Sequence, residues 1–222
     1  MVMTLPFSEE QFLRVFADYN RAVWPAQLVL YAAAFLTLFI AFKGKPYAGR
    51  VAVTTLALLW LWMGVAYHLA FFASINSAAY LFGAFFILQG LLFLAWGVRK
   101  PPARIRLRAD SHGMAAAALL AYSLVVYPAL GYLLGRAYPA SPTFGLPCPT
   151  TIYTFGLLLC VEGRVPLRLV PIPLAWSVVG ASAASALGIT EDYVLVASGL
   201  AGALLIVRRN RRHDRRPHHV TA

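Results

Sequence analysis

Carboxylates and cysteines are scarce in this chain. Its 222 residues hold eight Asp and Glu and two Cys. Charged residues make up 12% and apolar residues 60%, unlike a soluble domain. Many chemistries therefore lack their parts. A zinc hydrolase needs three clustered ligands, and the apolar segments offer one histidine, His68. His112, His213, His218 and His219 lie outside those segments. Bis-His haem fails for the same reason, and no Cys-x-x-Cys-His is present. There is no Walker motif and no dinucleotide fingerprint. A retinal protein needs a Schiff-base lysine in its last span, and residues 193–207 contain none. No cofactor is required by the sequence, and an enzyme is not the favoured reading. The first apolar run lacks a small-residue cleavage site, so it is expected to remain as an anchor.

What is present is apolar sequence in seven stretches: 24–42, 51–71, 77–97, 114–134, 150–161, 167–187 and 193–207. If the connections alternate between two sides, one side carries only Arg14, Arg21 and Arg136 of the 19 basic residues. The other sixteen fall in the first, third and fifth loops and the C-terminal tail. Lys and Arg are retained on the cytoplasmic side. The expected fold is therefore all-α and polytopic: seven transmembrane helices, N-terminus out and C-terminus in. The division is 1–23 as an outer interfacial segment, 24–207 as the membrane domain, and 208–222 as a basic, disordered tail. The fifth stretch has twelve residues, roughly 18 Å of helix. Either it continues inward through Glu162, or residues 142–149 enter the membrane as irregular backbone buried in protein.

The net charge of +11 is concentrated beside the spans. Arg99, Lys100, Arg104, Arg208, Arg209, Arg211 and Arg212 are expected to face lipid. They orient the chain and meet anionic headgroups, with no nucleic acid involved. The string LPFSEEQFLRVFADYN reads as an amphipathic helix lying on the membrane or capping the bundle, with a ligand lid as the less favoured reading. Ser8 is its expected cap, with Glu9 and Glu10 in the first turn. Small residues from Gly180 to Gly188 and the Ser198-x-x-x-Gly202 spacing indicate close helix packing. Thr190 is expected to cap the last helix, with Glu191 and Asp192 complementing its dipole.

Residues with chemistry collect on the outer side. Trp60, Gly64, Tyr67 and His68 share one helical face, with Asn76 just beyond. An ionisable residue within a span is a functional candidate. Its plain alternative is a neutral imidazole bonded to a backbone carbonyl or to Asn76. Gln89 reads as an interhelical hydrogen-bond partner. Cys148 lies between Pro147 and Pro149 at a helix start. It is either an activated thiol or a small packing residue. Cys160 lies about 18 Å down the same helix, too far for a disulfide. Trp60, Tyr67, His68, Asn76, Cys148 and Thr150 are the expected ligand-binding set, with His68 and Cys148 as candidate metal ligands.

The strings LPFSEEQF, YNRAVWPAQ, LLWLWMGVAYHLAFFASIN, PTFGLPCPTTIYTFGLLL, AWSVVGASAA and GITEDYVL together resemble a bacterial family of multi-pass membrane proteins, domain of unknown function 6064. The resemblance covers nearly the whole chain except the third loop and the tail. It implies a bacterial inner-membrane location. In that family Trp24, Trp60, Tyr67, His68, Asn76, Pro147, Cys148, Pro149 and Thr150 match the recurring pattern. The resemblance implies no activity. Three functions remain open at this point. One is binding or passing a small solute through an outward pocket near His68 and Cys148. The others are membrane redox or metal handling, and assembly with another membrane protein or a second copy.

Overall fold

The computed structural model describes residues 5–102 and 104–214. Expectations for 1–4 and 215–222, including Arg215, Arg216, His218 and His219, fall outside them. Among the described residues the chain is helical, without strands and with two isolated β-bridges. The helices are α1 (Glu9–Ala22), α2 (Ala26–Phe42), α3 (Ala48–Trp62), α4 (Ala79–Arg99), α5 (Ser111–Ala121), α6 (Tyr127–Leu133), α7 (Pro147–Leu159), α8 (Pro171–Leu187) and α9 (Tyr193–Asp214). Every expected apolar stretch is thus largely helical. Five helical stretches are long and apolar enough to cross a membrane: Ala48–Ser74, Ala79–Arg99, Ser111–Leu133, Leu167–Leu187 and Thr190–His213. The bent pair α1–α2, which turns by 85°, adds a sixth if it counts as one span. Helix α7 has 13 residues, about 20 Å, and is not among them.

Helix α7 is short because it is central. All its residues are buried except the half-buried Cys148. The Trp60 indole N–H donates to Thr154 Oγ1 at 3.0 Å, tying α3 to α7. The Tyr153 hydroxyl reaches the Ala34 carbonyl of α2 at 3.1 Å. A Cβ on Gly202 of α9 would meet the Phe155 ring at 2.5 Å, so only glycine permits that approach. A helix wrapped by protein need not match the thickness of a bilayer. The outward faces of the surrounding helices carry Leu28, Phe35 and Phe39 on α2, Leu81 and Leu91 on α4, and Leu200 and Leu204 on α9, all exposed.

Two groups of connections gather at opposite ends of the bundle. At one end Ile105 bridges Val161, and Arg106 N–H donates to the Cys160 carbonyl at 2.8 Å. Asn210 of α9 holds both backbone groups of Val165, at 2.7 and 3.2 Å. Asp110 caps α5 by accepting from the Gly113 N–H at 2.9 Å. That bond, with Arg108 nearby, holds its carboxyl below the ordinary range. Helix α9 runs to Asp214, so the first seven residues of the expected disordered tail are helical. Arg209 is a further correction. It is buried, not lipid-facing, and donates to the carbonyls of Leu158, Leu159 and Val161 at the end of α7. Those carbonyls lie at and just past the C-terminal turn of α7, where regular helical donors run out, and a guanidinium fork supplies several donors at once. Arg99, Lys100, Arg104, Arg208, Arg211 and Arg212 are exposed.

The other end holds α1, residues 134–146 and residues 188–192. Ser8 and Gln11 form the expected capping box of α1, with Glu9 and Glu10 in the first turn. The helix caps the bundle. Its Tyr19 hydroxyl accepts from the Trp62 indole N–H at 2.7 Å. Burial pushes the Tyr19 phenol up to about 12, so it stays neutral. Asn20 is fully buried beside it. Its side-chain N–H groups donate to the carbonyls of Pro139 and Ser141 at 2.7 and 2.8 Å. Its Oδ1 accepts from the Thr143 hydroxyl at 2.8 Å. Asn20 thereby pins the irregular strand of chain that leads into α7. Phe144, Gly145 and Leu146 of that segment are buried in protein, where irregular backbone is tolerated.

Two helices change pitch toward this end. Helix α3 continues as a π-turn, Met63–Leu69, and α5 joins α6 through another, Tyr122–Val126. Pro128 follows the second. It has no N–H to donate, and its ring crowds the carbonyl four residues back, which favours local rewinding. Such wider turns re-aim side chains and recur at functional sites.

Candidate functional site

The π-turn that follows α3, the N-terminal segment, the starts of α6 and α7, α8 and the 188–192 connection enclose a cavity of about 240 Å³. Its roof is Leu5, Phe7, Phe12 and Phe16 from the N-terminal segment. Tyr67 and Phe72 come from the end of α3, Phe82 from α4, and Trp176, Gly180 and Ala183 from α8. The rings interlock: Phe12 meets Phe72 edge-on at 5.9 Å, and Tyr67 stacks on Phe72 at 5.7 Å. Most of the wall is therefore aromatic or aliphatic.

Besides Asn76 near the start of α4, the polar part of the wall is one cluster. Asp192, Tyr127 and Cys148 all line the cavity. The Tyr127 hydroxyl donates to Asp192 Oδ1 at 2.5 Å. The Cys148 thiol faces the same carboxylate, the Tyr127 hydroxyl and the Trp176 indole N–H. That N–H makes no hydrogen bond among the described residues. Next to Asp192, the fully buried Glu191 side chain forms a two-pronged ion pair with Arg136, with one N–H···O bond of 2.9 Å. The Tyr122 hydroxyl donates to the Glu191 backbone carbonyl at 2.7 Å. Charge at Glu191 is thus matched, whereas among the described residues no basic side chain lines the cavity beside Asp192.

These carboxylates correct the sequence expectation. Thr190, Glu191 and Asp192 form a 3-10 turn before α9. Both carboxyl groups point into protein, with Glu191 and Asp192 2% and 4% exposed. They do not simply complement a helix dipole at the surface. The reason is tertiary: Arg136 and Tyr127 approach from the α6 side and supply the donors.

The expected ligand-binding residues divide into three groups. Tyr67, Asn76 and Cys148 line the cavity. Trp60 and Thr150 do not. Trp60 is a core tie to Thr154, packed on Phe86 at 4.5 Å. The Thr150 hydroxyl accepts from Gly145 N–H at 3.2 Å and shapes the lead-in to α7. His68 lies one layer beneath, fully buried. Its ring meets Trp176 at 5.1 Å, Phe86 at 4.4 Å and Tyr67 at 5.1 Å, all near edge-on. Neither ring nitrogen has a hydrogen-bond partner among the described residues. The plain alternative, a bond to a backbone carbonyl or to Asn76, is not formed among the described residues; Asn76 Oδ1 instead accepts from Ala78 N–H at 3.0 Å. Gln89 donates to the Leu169 carbonyl at 3.1 Å, an interhelical bond.

Asp192, Trp176 and Tyr127 are cavity residues that sequence reasoning did not place in the site. Tyr127 carried one usable signal, a tyrosine beside a proline at a helix break. The metal reading is thinly supplied. Among the described residues no three His, Cys, Asp or Glu side chains gather where they could hold an ion. A site of His68 and Cys148 would have two protein ligands, with Trp176 as their common neighbour.

The cavity can accept a compact apolar body and one polar group. It is larger than an apolar cavity of about 150 Å³ that takes up benzene, so it has room for about ten non-hydrogen atoms by proportion. A hydrogen-bond donor on that body would meet Asp192. Comparison with curated proteins and with solved structures gives no match. A family model matches residues 9–216, from the first turn of α1 through the whole bundle, and by that match the chain belongs to the family of unknown function DUF6064.

Proposed function

We propose that this is a bacterial cytoplasmic-membrane protein with seven spans, N-terminus out, that binds a small apolar molecule bearing one hydrogen-bond donor. The single observation that carries the reading is the cavity itself: a largely apolar space with a polar cluster of Asp192, Tyr127 and Cys148 in its wall. Concave apolar sites with a few convergent polar groups are the usual form of small-molecule pockets. The outward placement is supported by the basic residues, which collect in the loops at the opposite end. Seven spans are supported by the seven helical stretches, with α7 as a shielded inner helix. Beneath the cavity the rings of Trp176, His68, Phe86 and Trp60 stack into a closed column. The site is therefore a binding pocket, and passage would require that column to open.

The test uses matched probes of the cavity's size. Purified protein in detergent is heated with 2-phenylethanol, 2-phenylethylamine and the methyl ether of 2-phenylethanol. The expected result is a higher unfolding midpoint with the two donors than with the ether. Asp192→Leu should erase that difference. Ala183→Phe, which fills the cavity from α8, should abolish all three shifts while leaving the free protein folded. Equal shifts in wild type and Ala183→Phe would refute the reading.

A further inference from the structure

We propose a second, separate site at the basic end of the bundle: a pocket for a phosphate-bearing anion between the end of α4, the 164–168 connection and α9. A cavity of about 690 Å³ lies there, lined by Trp96, Arg99, Lys100, Arg164, Arg168 and Asn210 among others. No carboxylate appears in this lining among the described residues. Arg99, Lys100 and Arg168 have no ion-pair partner among them either. The basic residues nearby that do find acids are on another connection: Arg106 pairs with Glu162 at 3.8 Å and Arg108 with Asp110 at 3.1 Å.

Three unmatched cations around one concavity make a site for an anion. The C-terminal end of α4 opposes this with roughly half a charge. Three full charges outweigh it. Two are guanidinium forks, whose planar donors match phosphate oxygens in pairs. The pocket is also held in shape. Asn210 fixes both backbone groups of Val165, so the connection carrying Arg168 is tethered to α9 before any ligand arrives. Preorganised donors lose less freedom on binding. The remaining wall is apolar, with Val165, Pro166, Leu167 and the Trp96 ring. That wall suits the glycerol and first methylenes below a headgroup.

The other basic concavity at this end has less to offer. It is lined by Lys43, Lys45, Arg104 and Arg106 beside Phe42 and Leu107, and one of its guanidinium groups is already paired with Glu162.

Two sources share the chemistry: the phosphate headgroup of an anionic lipid, and free inorganic phosphate. The full-length protein, purified in a zwitterionic detergent, is titrated with dioctanoyl phosphatidic acid and, separately, with inorganic phosphate. Binding is followed by native mass spectrometry and by the unfolding midpoint. Arg99, Lys100 and Arg168 are exposed, so Arg99→Gln/Arg168→Gln should fold normally. At about a fivefold contribution for each surface cation, the double variant should bind about twenty-five-fold more weakly. The control Arg211→Gln/Arg212→Gln removes the same charge from exposed positions outside the pocket, and should lose less than threefold. Competition by millimolar inorganic phosphate would assign the site to phosphate itself. Binding confined to the lipid would assign it to a headgroup. Equal loss in both double variants, or no saturable binding of either probe, would overturn the proposal.

Discussion

The hydroxyl of Tyr127 donates to Asp192 across the junction between α6 and the turn that precedes α9. It is the hydrogen bond that a buried carboxylate in the cavity wall receives from a neighbouring helix. Tyr127→Phe should lower stability by about 1–3 kcal/mol, the cost of leaving a buried acceptor without its donor. The same variant leaves Asp192 with a vacant acceptor position. Added 2-phenylethanol should then raise the unfolding midpoint more than it does in wild type. Differential scanning calorimetry in detergent measures both effects.

Asn20 joins α1 to the segment that leads into α7. Three of its side-chain hydrogen bonds reach residues 139–143. Asn20→Ala should destabilise the protein by about 3 kcal/mol, at about 1 kcal/mol for each bond. Proteolysis should then cut within 134–146 before any other segment. A variant that stays as resistant as wild type would show that the segment is held by its own packing.

Arg136 and Glu191 are a buried ion pair, so removing one partner should cost more than removing both. Arg136→Gln leaves a buried carboxylate unmatched and should cost about 3–5 kcal/mol. Arg136→Gln/Glu191→Gln should recover most of that loss. A double-mutant cycle in chemical unfolding gives the coupling directly.

His68 carries two nitrogens without a hydrogen-bond partner among the described residues, inside an aromatic column. Edge-to-face contacts with Phe86 and Trp176 offset part of that cost, but weakly. A buried polar group without a partner costs about 1–3 kcal/mol. His68→Phe should therefore raise the unfolding midpoint. If the imidazole serves the cavity above it, the same variant should weaken the binding of 2-phenylethanol. A lower midpoint would show that the imidazole has a stabilising partner.

How far the sequence exposed this arrangement depends on the range of each signal. The helices were legible because apolar runs of about 20 residues are local features, and the N-terminal helix announced itself through Ser8 and its periodic Phe12 and Phe16. The irregular stretch before Cys148 was legible through its prolines and glycine. Asp192 was not, because a carboxylate beside a helix start suits a dipole and a cavity equally well. Only the approach of Tyr127, 65 residues away in sequence, separates those roles. Asn20 ends an amphipathic helix, where polar residues are ordinary, and its partners lie about 120 positions on. Arg209 is one arginine among several in a run. Nothing local marks it as the one that turns inward to meet the carbonyls of α7.

The most direct measurement is the rate at which methyl methanethiosulfonate modifies Cys148 in folded Cys160→Ser protein, with and without Ala183→Phe. Cys148 lines the cavity from the start of α7, opposite Ala183 and Gly180 of α8. The account predicts that this small neutral reagent enters and labels Cys148, and that filling the cavity slows labelling at least tenfold. A rate unaffected by Ala183→Phe, or no labelling until the protein unfolds, would contradict it.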